Sequence, residues 1–364
     1  MACYHPLRAF NTGLLTDNFK PKYKICGQNV ERVQLAHSSV KNRRIVKSDR
    51  RVWQDLWTSD WLPIPCGQCI GCRLDYSRTW ADRCILEARD YVNNAFVTLT
   101  YDPEHLPKPQ QVTDVQTGEI FEWSSLVPDD LTKFMKDLRR YYEHHYNHQG
   151  IRFYACGEYG DEGGRPHYHL LIFNLPVPDK VYWFTNNDHE NIYVSDSLSK
   201  IWDKGIVTIG DVTWNSAAYV ARYVVKKQRG DTKGLVELPG KRLVAGLQPE
   251  FTRMSRMPGI AYKYYDEHKN EFYKNDEIVI SVRGKARTIK PPRYFDKLYD
   301  IDCEDPFIMQ EIKQKRSESA KMSIKQQLQK TSLSYNEYLG VKERNKIAQI
   351  SALKRGMHGV DKLG

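Results

Sequence analysis

Residues 164–173 read Gly164-Arg-Pro-His-Tyr-His-Leu-Leu-Ile-Phe173. Side chains alternate on a strand, so His167 and His169 share one face while Tyr168 points to the other. With a rise of about 3.3 Å per residue, the two imidazoles stand roughly 6.6 Å apart along the chain and can converge on one ion. The apolar residues that follow, Leu170 to Phe173, carry the strand into a core. Just upstream, residues 151–156 form a second β-branched and aromatic run, and a Gly-rich turn over 157–164 joins the two. Such close spacing predicts an antiparallel hairpin with an irregular tip. Glu158 lies on the partner strand or its exit and is the candidate third ligand, with Glu162 as its rival. Two histidines and a carboxylate leave positions open on a divalent ion, which a reaction on phosphate oxygens needs. A half-buried histidine pair without a metal is the plain alternative.

Working outward, residues 73–92 repeat apolar side chains at helical spacing, and residues 95–101 read as a strand ended by Asp102-Pro103. A second helix, capped by Asp129 or Asp130 and stopped by Gly150, carries Leu131, Phe134, Met135, Leu138 and Tyr142. A short helix at 196–202, a strand at 205–212 and a helix capped by Asn215 or Ser216 follow. The order β-α-β-β-α-β-α predicts an α+β fold, a mainly antiparallel central sheet with flanking helices. The last helix bears Tyr219 and Tyr223, one turn apart and so on one face, with Lys226 or Lys227 a turn further on. A free tyrosine titrates near 10 and is a poor nucleophile at neutral pH. It attacks a phosphodiester when a metal polarises the phosphate and cations stabilise the phenolate. The competing role for these rings is an aromatic stripe packed on the sheet.

The chain has 364 residues, with 55 Lys and Arg against 45 Asp and Glu, a net charge of +10. A pI near 9.0 favours an anionic partner, nucleic acid first. No apolar run approaches the roughly 18 residues of a membrane helix, so an integral membrane protein is excluded. The first ten residues carry no apolar segment of the kind a secretory signal needs. Eight cysteines are too few for a disulfide scaffold of this length and fit a reducing compartment. Three of them, Cys66, Cys69 and Cys72, stand two residues apart, a spacing that suits thiolates gripping one zinc ion. Cys84 is the first choice for the fourth ligand, with Cys3, His5 and Cys26 as rivals, and free thiols at a loop–helix junction are the alternative to zinc.

The basic cluster Lys41, Arg43, Arg44, Lys47, Arg50 and Arg51 marks residues 1–65 as a basic N-terminal arm. Residues 66–230 form the patterned domain, 231–305 an accessory region, and 306–364 a basic tail, helical in places or disordered. That tail holds 12 Lys or Arg and 5 Asp or Glu, most of the net charge, and suits a phosphate backbone. Trp53, Trp57 and Trp61, and Tyr262, Tyr264 and Tyr265 beside Lys263, are either base-stacking groups or core. Residues 234–242 approach a phosphate-binding loop but have one residue too many between the glycines and no Ser or Thr, and read as a basic loop.

Three motifs stand in order: Phe96-Val-Thr-Leu-Thr-Tyr101, Arg165-Pro-His-Tyr-His-Leu-Leu-Ile172 and Tyr219-Val-Ala-Arg-Tyr223-Val-Val-Lys226. Together they resemble the HUH endonuclease superfamily, and more closely the rolling-circle replication initiators of the gokushovirus-like microviruses. The resemblance covers about residues 66–228, with a weaker echo at Met254-Ser-Arg-Met-Pro-Gly259. It implies a ferredoxin- or RRM-like core and Mg²⁺ or Mn²⁺ held by His167, His169 and Glu158. It also implies that Tyr219 or Tyr223 cleaves single-stranded viral origin DNA, leaving a 5′-phosphotyrosyl bond and a free 3′-OH. The second tyrosine then rejoins the circle, and Lys226 fits the basic residue after the tyrosines. Host helicase and DNA polymerase, in the bacterial cytoplasm, are the implied partners. A non-enzymatic DNA-binding protein with a structural zinc, a hydrolase whose histidines activate water, and a one-tyrosine relaxase or transposase are the competing readings.

Overall fold

The structure, a computed structural model, describes residues 3–16, 21–34, 57–59, 61–161, 163–187, 189–226, 234–282, 284–303 and 305–352. The side chains of residues 34, 57, 223–226, 241, 306, 351 and 352 lie outside that description. So do the basic cluster at 41–51, Trp53, Glu162 and Lys227. The chain divides into two compact units, one of Met1–Asp75 with Ala320–Leu353, the other of Tyr76–Ser319 with the final residues.

In the first unit β1 (Leu7–Leu15) and β2 (Pro21–Cys26) form a hairpin, and the two-residue strands β3 (Val33–Gln34) and β4 (Trp57–Thr58) pair with each other. β5 (Trp61–Ile64) adds to the free edge of β1, in the order β2-β1-β5. The supposed irregular arm thus holds a small sheet. Trp61 packs under the Arg8 guanidinium, 4.4 Å from its ring centre, rather than standing open for a base. α1 (Ile70–Arg89) begins three residues before the helix start read from the sequence.

The second unit is built on a seven-stranded sheet. β6 (Asn94–Thr100) is followed by a side hairpin, β7 (Pro109–Asp114) and β8 (Ile120–Ser124), and by α2 (Pro128–Tyr146). Val127, not Asp129 or Asp130, caps α2, because Pro128 occupies the first helical turn where its missing N–H costs nothing. The two aspartates sit in the first turn, where the helix dipole favours them. Asn147, at φ 47°, closes the helix before Gly150 is reached. β9 (Arg152–Tyr159) and β10 (Pro166–Phe173) are the expected hairpin. At its tip Gly164 takes φ +61°, and a Cβ there would meet Trp123 at 2.5 Å. β11 (Val181–Thr185), β12 (Asn191–Val194), α3 (Asp196–Trp202), β13 (Val207–Gly210) and α4 (Trp214–Lys226) follow. Thr213, rather than Asn215 or Ser216, starts α4. Its backbone N–H donates to Ser216 Oγ at 2.9 Å while Ser216 N–H returns a bond to Thr213 Oγ1 at 3.2 Å, a reciprocal cap.

Residues 234–242 are β14 (Val236–Leu238), a tight turn and the start of β15 (Arg242–Ala245), a hairpin that extends the β7–β8 sheet. β16 (Phe251–Met254) joins the far edge of β9. The large sheet therefore runs β11-β12-β13-β6-β10-β9-β16, every pair antiparallel. The fold is α+β with a large antiparallel sheet. One face carries Leu99, Val97, Tyr168, Leu170 and Ala155 under α2 and α3; the other carries Phe96, His169, Leu171 and Tyr154 under α1 and α4. α5 (Tyr262–Asn275), the hairpin β17 (Ile278–Val282) and β18 (Lys285–Ile289), and α6 (Arg293–Asp302) extend that second layer. α7 (Pro306–Leu328) and α8 (Tyr335–Ala352) make most of the basic tail helical. Among the described residues no helix is long and apolar enough to cross a membrane.

Candidate active site

β10 places His167 opposite Thr100 on β6 and Glu158 on β9, and His169 opposite Thr98 and Cys156. Register and alternation thus put two imidazoles and one carboxylate on the same face of the sheet. Glu158 Oε1 lies 3.1 Å from His167 Nε2 and 2.8 Å from His169 Nε2, and the two Nε2 atoms are 3.1 Å apart. All three residues are buried, so polar atoms converge where the surroundings offer little water. Burial alone would raise the Glu158 carboxyl, but charge and hydrogen bonding from His167 and His169 outweigh it and hold it well below the usual carboxylate range.

The outer nitrogens of both rings are anchored. His167 Nδ1 is 3.1 Å from the Arg165 carbonyl, so it carries the proton and leaves Nε2 as a lone pair. His169 Nδ1 is 2.9 Å from Thr98 Oγ1. Phe96 stacks on the His169 ring at 5.6 Å, nearly parallel. Thr98 and Phe96 lie in the first motif, yet neither carries a group that marks it as part of a site. Only the register with His169 gives them that place. Behind the sheet, Tyr168 donates to the Val127 carbonyl at 2.8 Å and contacts the Tyr101 hydroxyl at 2.8 Å. Burial, countered by those bonds, pushes Tyr168 up to about 12, which keeps it a phenol and a structural post.

α4 packs over β9 and β10 and brings Tyr219 to this group. Its hydroxyl donates to Glu158 Oε1 at 3.1 Å and lies 3.5 Å from His169 Nε2, and its ring meets His169 edge-on at 5.0 Å. Tyr219 is half-buried, and the exposed Arg222 guanidinium lies 5.7 Å from its ring centre. Tyr223 and Lys226 belong to the same helix, one and two turns on, with side chains outside the described ones. The donor set fits a hard or borderline divalent cation. Three ligand atoms 2.8–3.1 Å apart match adjacent corners of an octahedron with bonds of about 2.1 Å, whose edges are about 3.0 Å.

The cysteines divide differently from the first choice made from sequence. Cys66, Cys69 and Cys72 are joined by Cys3, all four sulfurs lying within 4.8 Å of one another. Cys84 is fully buried on α1 with Ala81, Leu86 and Ala221, as an apolar side chain of the core. His5 pairs with Glu343 at 2.7 Å, and Cys26 lies on β2 opposite Arg8.

Sheet, paired histidines and helix-borne phenol define an α+β protein of the HUH endonuclease-like class. Residues 94–228 match the family described as replication-associated protein, of the ORF2 type. The replication-associated protein ORF2 of Spiroplasma virus 4 is 34% identical over 345 residues, 94% of each chain. The replication-associated protein VP4 of Bdellovibrio phage phiMH2K is 33% identical over 186 residues, 50% of this chain and 53% of that protein. The replication-associated protein ORF4 of Chlamydia phage 1 is 32% identical over 170 residues, 46% of this chain and 39% of that protein. No solved structure matches the chain. The chain belongs to the replication-associated protein family of the microviruses.

Proposed function

We propose that this protein starts rolling-circle replication of a single-stranded viral genome by nicking the origin with Tyr219. The observation that carries the reading is the Tyr219 hydroxyl, 3.1 Å from the Glu158 oxygen that also faces both imidazoles. His167, His169 and Glu158 are the residues that would hold Mg²⁺ or Mn²⁺. When bound there, the cation supplies charge that polarises a phosphodiester and stabilises a phenolate.

The protein's own residues do the rest. Packing against Phe96 and His169 fixes the Tyr219 ring, so its oxygen is presented at the histidine pair without rearrangement. The oxygen attacks the phosphorus and its proton passes to water. The bond from phosphorus to O3′ breaks, and the departing oxygen takes up a proton to become a 3′-OH. The 5′ end stays on Tyr219 as a phosphotyrosine, which keeps the energy of the broken bond for rejoining. Tyr223, one turn along α4, is the second nucleophile, which attacks the regenerated origin while Tyr219 is occupied, and Lys226 supplies positive charge beside them. The new 3′-OH suits extension by a host polymerase, and strand separation falls to a host helicase in the bacterial cytoplasm.

The test is incubation with single-stranded oligonucleotides tiled across the viral genome, with Mn²⁺ or EDTA. One oligonucleotide should give a metal-dependent covalent species that a Tyr219→Phe, Tyr223→Phe double variant cannot form. An adduct that persists in the double variant would overturn the assignment. Cleavage that leaves no protein on the 5′ end would point instead to water as nucleophile.

A further inference from the structure

We propose that Cys3, Cys66, Cys69 and Cys72 hold one zinc ion that closes the N-terminal sheet onto the start of α1. The site is independent of the nicking centre and rests on its own geometry. Cys66 Sγ and Cys72 Sγ are 4.0 Å apart, as are Cys69 Sγ and Cys3 Sγ. A tetrahedron of thiolates at about 2.3 Å from zinc has edges of about 3.8 Å. A disulfide needs sulfurs at about 2.05 Å, so these spacings are those of ligands around an ion. All eight cysteines are free thiols.

The backbone is built for negative sulfurs. Tyr4 N–H and Cys72 N–H approach Cys69 Sγ at 3.3 and 3.5 Å. Cys66 N–H approaches Cys3 Sγ at 3.3 Å, and the N–H groups of Gln68 and Cys69 approach Cys66 Sγ at 3.4 and 3.3 Å. Five amide dipoles around four sulfurs offset the excess charge that four thiolates leave on a divalent ion. Cys69 immediately precedes α1 and Cys72 lies in its first turn, where the helix dipole adds to the same effect. Cys3, Cys69 and Cys72 are buried, which shuts the site to substrate and marks it as structural.

The ligands come from three places that the fold must bring together. The β1–β5 ladder, with Leu7 opposite Ile64, ends just short of Cys3 and Cys66. A metal there ties two strand ends and a helix start, separated by more than sixty residues of chain, into one corner.

The purified full-length protein should contain one zinc per chain bound to sulfur. Removing the metal under reducing conditions and titrating with Co²⁺ should give the intense thiolate-to-metal absorption of a tetrahedral sulfur site, which the oxygen and nitrogen ligands of the nicking centre cannot produce. Cys3→Ser should lose that spectrum and Cys84→Ser should keep it. Wild-type protein without the thiolate–cobalt absorption would overturn the proposal, whatever the variants do, and so would iron in place of zinc. Retention of the spectrum by Cys3→Ser with loss in Cys84→Ser would overturn the ligand assignment. Failure of the DNA adduct assay would leave all these readouts unchanged.

Discussion

The Tyr219 hydroxyl donates to the one carboxylate oxygen, Oε1 of Glu158, that also lies 2.8 Å from His169 Nε2. Helix and sheet are thereby joined at the atom on which the chemistry depends. Tyr219→Phe keeps the ring that packs on Phe96 and His169, so the fold should be unchanged while the adduct falls about 10³-fold or more, the scale of losing a covalent nucleophile. Tyr223→Phe should still form the first adduct on a single oligonucleotide and fail in circle closure. Quantifying the adduct by denaturing gel for both variants checks this; a Tyr219→Phe protein with wild-type yield would remove Tyr219 as the attacking group.

Thr98 acts through His169. Its hydroxyl, 2.9 Å from Nδ1, holds the ring with Nε2 facing Glu158 and His167. Thr98→Val has nearly the same shape but leaves Nδ1 without that bond. Outer partners of this kind are worth about 10–100-fold in metal affinity. Calorimetric titration with Mn²⁺ should show a loss of that size for Thr98→Val and near-complete recovery for Thr98→Ser.

Much of this centre was legible in the sequence because it is local. His167 and His169 are two residues apart on a strand, Glu158 is nine residues upstream on the paired strand, and period-2 alternation decides their shared face. Tyr219 followed from helical spacing, although its approach to Glu158 depends on how α4 lies across the sheet. What the sequence hid is long-range. β16 is four half-buried residues, too short to signal a strand, and it is one only because β9 offers a free edge. Cys3 is 63 residues from Cys66, and no spacing rule reaches across a β-ladder. The helix starts moved by a few residues where Pro128 and the Thr213–Ser216 pair competed with more familiar caps.

Glu87 on α1 is a buried carboxylate that period and spacing give no reason to single out. It pairs with Arg152 on β9 and accepts from the Ala261 backbone N–H, while Arg152 also donates to the carbonyls of Pro258 and Gly259 at 2.8 and 3.1 Å. The pair therefore pins the segment entering α5 against the sheet. Removing one partner of a buried pair leaves the other charge uncompensated and costs about 3–5 kcal/mol. Urea denaturation of Glu87→Ala should show a loss in that range, and Glu87→Gln, which keeps hydrogen-bonding atoms, a smaller one. A change below about 1 kcal/mol for Glu87→Ala, the size of a surface ion pair, would mean that the pair is not effectively buried.

Asp90, directly after α1, is a carboxylate the fold tolerates rather than uses. Burial first, then the Glu87 and Glu267 carboxylates, push it up to about 6 against the opposing charge of Lys263, and its Oδ2 is buried with no hydrogen-bond partner. Its charge also sits at the negative end of the helix dipole. The folded chain thus binds a proton between about pH 4 and pH 6 that the unfolded chain has released, so this group's contribution to stability falls as pH rises through that window. Two pKa units correspond to about 2.7 kcal/mol, which solvent screening of a half-exposed group reduces to about 1 kcal/mol. Asp90→Asn should therefore melt about 2–4 °C higher than the parent at pH 7. The advantage should vanish near pH 4, where the parent carboxyl is protonated. Thermal melts of both proteins at the two pH values decide it: an equal gain at pH 4 and pH 7 would assign the effect to helix capping, and no gain at either would show that water reaches Oδ2.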